Sequence, residues 1–391
     1  MTNISGVIST ENSSQDARKF DHSDKLWMVS PEYATLAFFA RRLKKVRTTD
    51  PEFRWFEKEQ VSRQDAINYA TGYASTITEV AVDDGTKFRE GDVVRNVSSP
   101  EQARVLGVSS NTLTIARGWG STTATAWSDD DVLVIIGNAH KEGADFGTPL
   151  TTQKVKKTNY TQIFREPISQ TGTASSTETY GGPDDMVSLR KEHLDIHMKD
   201  IERGFLFGEP KEDTSTAGTD EPIRSTGGLE YFLTTNVTAD GNGTLTEAEF
   251  EAWIATVFQN GGEKKFGLLS NLIASGLNSW AKAKLNMYPK DKTYGIGVMG
   301  YLSVHGEVNF VLERILAENT VWNGMAFAVD IERIVYRYLA GNGKPRDTKL
   351  LKDRQGNGED KVEEEYLSEI GFQLATENRH GQLSGVTAYS A

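Results

Sequence analysis

The sequence predicts an α+β fold in which strands and helices occupy separate blocks of the chain. Three observations carry this. Residues 80–140 are short runs rich in Val, Ile, Leu and Thr, separated by turn residues. Residues 183–207 carry one apolar stripe at helical spacing, and from residue 294 onward the runs return to strand character. Segregated blocks of strands and helices are the α+β pattern, whereas strict alternation would indicate α/β.

The elements follow in order. Residues 1 to about 30 are polar, Ser/Asn/Asp-rich and aperiodic, which predicts an extended arm ordered only by what it contacts. A basic run comes next, Arg41, Arg42, Lys44, Lys45 and Arg47. It reads as a solvated helix face, as a contact to acidic surface on a neighbouring copy, or as a phosphate contact. The segments KFREGDVVRNV, ARVLGVS, NTLTIARGW and DDVLVIIGNA then alternate with turn signals at 90–92, 109–111 and 128–130. Strands at this spacing predict a small barrel or sandwich inserted after the arm.

The best helix is 183–207. Gly182 can sit at its cap, Pro183 at the first helical position, and Asp184 and Asp185 in the first turn, where the helix dipole favours acid. Val187, Leu194, Met198, Ile201 and Phe205 trace one stripe, and Gly208 ends it. At about 1.5 Å per residue the helix would be roughly 35–40 Å long. A polar loop precedes two further helical stretches, 246–259 and 264–285. Phe250, Trp253, Ile254, Val257 and Phe258 share one face of the first; Leu268, Leu272, Ile273, Leu277 and Trp280 share one face of the second. The strand runs YGIGVMGYLSV, EVNFVLERIL, MAFAVDIERIVYRYL, EEEYLSEIGFQLATEN and GQLSGVT complete the chain. There is no internal repeat.

Composition narrows the function. The 391 residues suit two or three compact units, and a net charge of -12 argues against a free-standing nucleic-acid binder. Arg41 to Asp65 nevertheless carries a net +3, so charge is segregated along the chain. With no cysteine, disulfide frameworks, Cys-ligated zinc and thiol nucleophiles are excluded. The N-terminus lacks the basic and apolar regions of a secretory signal, and no window has the length of a membrane helix. A protein made in a cytoplasm, without a membrane partner, is therefore expected.

Two patterns have metal-ligand spacing. His193 and His197 sit at i, i+4 on the long helix, but the His-Leu-Asp-Ile-His order lacks the general-base Glu of a zincin. The segment TADGNGTLTEAEF places Asp240, Asn242 and Glu249 at calcium-loop positions, with Thr238 where a carboxylate is preferred. The competing reading makes Thr246 a helix cap and Glu249 its capping-box partner. GIGVMG at 295–300 matches a dinucleotide fingerprint in letters only, because strand rather than helix follows it. No nucleophile–base arrangement or Walker motif is present, so neither catalysis nor a cofactor is expected. A long arm, a protruding insertion and segregated charge instead suit a subunit that ties into neighbours.

Specific residues sharpen this. The stretch NYTQIFREPISQTGTASSTETYGGPDDMVSLRKEHLDIHMKDIERGFLFGEP, followed by RSTGGLEYFLTTN, resembles the major capsid proteins of tailed bacteriophages with the Hong Kong 97 fold. The matching features are Thr171–Thr173, Gly181–Gly182, Asp200–Gly208 and Arg224–Leu229, in that order. The 80–140 segments resemble the β insertion of one branch of that family. The resemblance spans roughly residues 30 to 385. It implies an N-terminal arm over 1–65, an extended loop with an inserted β subdomain over 66–165, and a peripheral domain over 166–224 with its spine helix at 183–207. An axial domain over 225–340 and remaining strands over 341–391 complete the implied organisation.

The implied function is that of a major capsid protein. It would form hexamers and pentamers of an icosahedral head enclosing double-stranded DNA, in the virion, after synthesis in host cytoplasm. Implied partners are further copies of itself, a scaffolding protein, the portal, decoration proteins and non-specifically held DNA. Neither partner of the isopeptide crosslink found in some members maps onto this chain. An encapsulin-like compartment shell, and a calcium- or carbohydrate-binding virion appendage, are the alternatives.

Overall fold

The computed structural model describes residues 44–144, 147–177, 186–215, 221–284, 287–289 and 298–390. Arg41 and Arg42, the Gly181–Gly182 loop, the helix start at 183–185 and residues 295–297 lie outside these residues. The chain forms two compact units: Phe56–Lys157, and the segments on either side of it taken together.

The Phe56–Lys157 unit is a closed six-stranded barrel. Its strands lie in the order Gln64–Ala66, Val132–Asn138, Asp92–Asn96, Gln102–Ser109, Thr112–Ala116 and Glu79–Ala81, each antiparallel to its neighbour. An antiparallel bridge between Ile67 and Val82 joins the first strand to the last. It is reinforced by Asn68 N donating to Ala81 O at 3.0 Å and Asp83 N to Ala66 O at 3.1 Å. Closure removes the exposed edges that an open six-stranded sheet would present. Alternate side chains face inward, and Ile67, Val80, Val94, Val105, Leu113, Ile115, Trp127 and Leu133 make the core. The turn signals read in the sequence coincide with positive φ at Gly91, Ser110 and Asp130, the backbone region that Gly and short polar residues reach most readily.

Among the described residues the other unit has five α-helices: α1 Gly172–Ser175, α2 Met186–Phe207, α3 Leu229–Phe232, α4 Glu247–Phe258 and α5 Asn271–Lys284. Two larger sheets accompany them, beside short two-stranded pairings. The first orders Lys45–Thr48, Ile334–Leu339, Lys361–Leu374 and Gln162–Thr171, with Lys349–Leu351 also paired to Lys361–Leu374. Helix α2 lies on this sheet and buries Ile201, Phe205 and Leu206 among Phe164, Tyr336, Ile370 and Phe372. The second orders Val237–Ala239, Gly381–Ser384, Ala326–Val329, Lys264–Leu269, Gly306–Leu312, Val298–Ser303 and Met287–Pro289. Helices α4 and α5 supply Phe250, Trp253, Ile254, Val257, Ile273 and Leu277 to its core, beside Phe310 and Leu383.

Two expectations need correction. Residues 264–285 are not one helix: Lys264–Leu269 is a strand at the centre of the seven-stranded sheet, and α5 begins only at Asn271. The strand is buried from Lys265 to Leu269 and so shows no alternation, and a short buried strand and a buried helix turn cannot be separated by periodicity. The stripe of α2 is also shorter than expected. Ile201 and Phe205 are fully buried and Met198 packs against the core, but Val187 is 67 % exposed.

The end of α2 explains the Gly-Gly-Leu motif. Gly228 N donates to Gly208 O at 2.7 Å, and a Cβ at Gly228 would stand 2.8 Å from the carbonyl oxygens of both Gly204 and Phe205. Gly228 is glycine because backbone meets backbone there, and a Cβ at Gly227 would press on the Pro210 and Phe232 side chains. The buried Asn159 side chain fastens the same place. Its Oδ1 accepts from Gly227 N at 2.7 Å, and its Nδ2 donates to Gly227 O at 3.0 Å and to Phe372 O.

Candidate functional site: ion pairs and exposed surfaces

The residues singled out by sequence mostly serve the fold. On α2, His193 Nδ1 lies 2.7 Å from Glu166 Oε1 and His197 Nε2 lies 2.7 Å from Ser368 Oγ. His197 is buried, with its ring against Phe164 and Tyr366. Each histidine is tied to a different sheet strand, so helical spacing does not bring them together as a ligand pair. Among the described residues no cluster of three or more His, Asp or Glu is placed to hold a metal.

The calcium-loop pattern resolves in the same direction. Thr246 caps α4; its Oγ1 accepts from Glu249 N at 3.3 Å while Glu249 Oε2 accepts from Thr246 N at 2.8 Å. That is a capping box, and it holds the Glu249 carboxyl below its ordinary range through the Thr246 hydroxyl and amide. Asp240 Oδ1 accepts from Asn242 N and Gly243 N, and Asn242 Oδ1 accepts from Thr244 N. These Asx turns shape the loop that leads into the cap.

The basic run is a strand where the structure describes it. Lys45–Thr48 runs parallel to Ile334–Leu339, which removes the helix-face reading for these residues. Lys45 Nζ pairs with Asp347 and stands 5.1 Å from the centroid of the Tyr336 ring. Burial opposes ionisation of Asp347, but hydrogen bonds from Lys45 and Tyr336 outweigh it and keep the carboxyl below its ordinary range. Lys44 and Arg47 are exposed, so the cationic surface of the described part of the run rests on them.

Sequence reasoning missed three charged nodes. In the barrel, Glu101 is buried and accepts from Arg117 Nε and Nη2 at 2.8 Å each, from Thr125 N at 2.8 Å and from Gly118 N at 3.1 Å. The guanidinium also covers the Trp127 ring at 4.0 Å. Desolvation acts against the carboxylate, yet these donors overcome it and bring its pKa to about 2. On the long strand Lys361–Leu374, Glu364 is held by Arg190 of α2, and Glu365 by Arg165 and Arg354. In the central strand of the seven-stranded sheet, Lys265 donates to Asn260 O and Arg379 O, and burial lowers its pKa to about 8. The buried His380 beside it accepts from Asp330 N at Nδ1 and donates to Ala375 O from Nε2, and desolvation takes its pKa down to about 4. Some of these partners lie far apart in sequence, 200 residues for Arg165 with Glu365 and 174 for Arg190 with Glu364, so no local pattern announces those pairs.

Several large apolar side chains are exposed as well. Val304 is 102 % exposed, Val321 68 %, Phe56 66 % and Leu302 58 %. Exposed apolar side chains of this kind are suited to contacts between chains.

Comparison with known proteins agrees with that reading. The major capsid protein of Pseudomonas phage PaMx41 is 23 % identical over 319 residues, covering 78 % of this chain and 74 % of that one. Among solved structures, the capsid of cyanophage A-1(L) matches with a TM-score of 0.55 at 9 % identity, over 97 % of this chain and all of that chain. The capsid of the native GTA particle matches with a TM-score of 0.51 at 10 % identity, with the same coverage. The family model for the SU10 major capsid protein matches residues 7–387. With nearly the whole chain matched, and with the Hong Kong 97-type capsid fold, this chain belongs to the SU10 major capsid protein family.

Proposed function

We propose that the chain assembles as hexamers and pentamers into the icosahedral head shell of a tailed bacteriophage, enclosing its double-stranded DNA. The family match over residues 7–387 carries this reading. In such a shell residues 1–65 act as the arm and 66–165 as the extended loop with its β subdomain. Residues 166–224 form the peripheral domain around the spine helix, 225–340 the axial domain, and 341–391 return to complete both. Weak contacts repeated by symmetry suffice for a stable shell, so no single pair need be strong. The site of action is the virion, after synthesis in host cytoplasm, and a separate scaffolding protein, the portal and decoration proteins are the partners.

Arg41, Arg42, Lys44 and Arg47 face either phosphates of the packaged DNA or acidic surface of a neighbouring copy; Lys45 supports them through Asp347. Neutralising Arg41, Arg42 and Lys44 together should reduce assembly or packaging, and particles of normal yield and infectivity would count against that role.

The test of the main reading is expression of the chain with and without its scaffold, followed by light scattering and negative-stain microscopy. Capsomers, shells, tubes or sheets support it. Shells filled with cargo protein in place of DNA would transfer the chain to a compartment role. A monodisperse monomer or trimer that scaffold does not move would refute shell assembly.

A further inference from the structure

The hairpin Val298–Ser303/Gly306–Leu312 turns through Val304 and His305, with Ser303 paired to Gly306. Two-residue hairpin loops favour Asn, Asp and Gly, because those residues adopt the turn backbone and are at home in water. A β-branched aliphatic residue is the wrong chemistry on both counts. Val304 is nonetheless 102 % exposed, with Leu302 at 58 % beside it. From Gly300 to His305 no residue is charged, in a chain that is 25 % charged. A local rule broken without a local gain marks a place where the gain is made elsewhere.

A receptive surface lies at the far end of the same hairpin. A groove of about 290 Å³ opens between α5 and the end of strand Gly306–Leu312. Ala274, Phe310, Val311 and Leu312 line it, with Asn271, Ser275 and Asn278 of α5 alongside. Those three polar residues are exposed and uncharged, and α5 carries no charge before Lys282. Loss of charge with retention of hydrogen-bonding groups is the composition of an interface core and its margin.

We propose that the Leu302–Val304 tip of one copy inserts into the α5 groove of the adjacent copy in a ring. This rests on the shell function proposed above, and it commits to a second copy of this chain as the occupant. Three observations select that occupant. The chain belongs to a family of shell subunits, so adjacent copies are present at high local concentration. Neither the tip from Gly300 to His305 nor the groove lining carries a formal charge, so their own side chains bring no ion into the contact. They are also different surfaces carried on one hairpin, and a contact between unlike surfaces runs head to tail and can close into a ring. A like-with-like contact would stop at a dimer.

The absence of cysteine in the parent makes the test direct. One chain carries Val304→Cys and another Asn278→Cys; they are co-assembled in equal amounts and oxidised. A disulfide between the two must cross between copies. The expected result is a covalent dimer joining one chain of each kind, with each single variant alone remaining monomeric on a non-reducing gel. A third variant, Val304→Asp, should raise the concentration needed for assembly by at least about tenfold, since a charge on the knob would be desolvated without a partner. Because Val304 is wholly exposed, its secondary structure and monomer solubility should match the parent.

Shells or capsomers without the mixed disulfide would overturn the contact and leave the shell function standing. Efficient crosslinking of Val304→Cys with itself would overturn it in favour of tip-to-tip contact. Failure of the parent to form any higher assembly would overturn both.

Discussion

Removing the Glu101 carboxylate should loosen the barrel loop that it holds. Glu101→Ala leaves the Arg117 guanidinium, only 6 % exposed, without its counter-ion and frees the amides of Gly118 and Thr125. Two routes give the magnitude. The carboxyl titrates at about 2 instead of its ordinary 4.5, and that displacement is worth about 3 kcal/mol at neutral pH. Breaking a buried ion pair by deleting one partner typically costs about 3–5 kcal/mol. The two agree, so a loss of about 3 kcal/mol is expected. Hydrogen exchange read by mass spectrometry on the full chain isolates it, because the peptide covering 118–127 contains both held amides. Its exchange should accelerate about a hundredfold, while peptides from α2 remain unchanged. The pH dependence has a fixed sign: a depressed carboxylate stabilises fully above about 4.5, and the contribution is lost as pH falls toward about 2. Protection of 118–127 within fivefold of the parent would refute the argument. So would an equal loss from a Thr125→Ala change that leaves the ion pair intact.

Three further outcomes follow. His380, whose folded pKa of about 4 lies below its ordinary 6.5, stabilises fully above that ordinary value; the larger unit should lose about 3 kcal/mol as pH falls from 6.5 through 4, measurable by denaturant unfolding at several pH values. His380→Gln should flatten that profile. Glu249→Ala should lower the melting temperature through loss of the capping box, and millimolar calcium should leave the melting temperature of the parent unmoved; a calcium-dependent rise would restore the cation-site reading. Gly228→Ala should lower the yield of folded protein, because the new methyl stands 2.8 Å from two carbonyl oxygens of α2; a soluble variant with unchanged melting would contradict that packing.

The sequence made some elements legible because their signals are local. The capping box needs only Thr246 and Glu249, three residues apart, and both hydrogen bonds are present. Four of the six barrel strands are separated by Gly91, Ser110 and Asp130 at the turns and could be read, whereas the short strands Gln64–Ala66 and Glu79–Ala81, and closure through Ile67 and Val82, could not. Strand Lys264–Leu269 was misread because its position at the centre of a sheet buries consecutive residues and erases the period.

By itself, then, the sequence determined block order, local turns and caps, the lack of thiol chemistry and the order of motifs that marks the family. The tertiary structure decided which charges are spent internally. Glu101 with Arg117, Glu364 with Arg190, and Lys45 with Asp347 are joined over long stretches of chain. Only after those pairings does it become clear that Lys44 and Arg47 remain exposed while Leu302 and Val304 are presented to solvent. The reason is physical: capping and turn formation are short-range, whereas desolvation and ion pairing depend on distances that exist only once the sheets have formed.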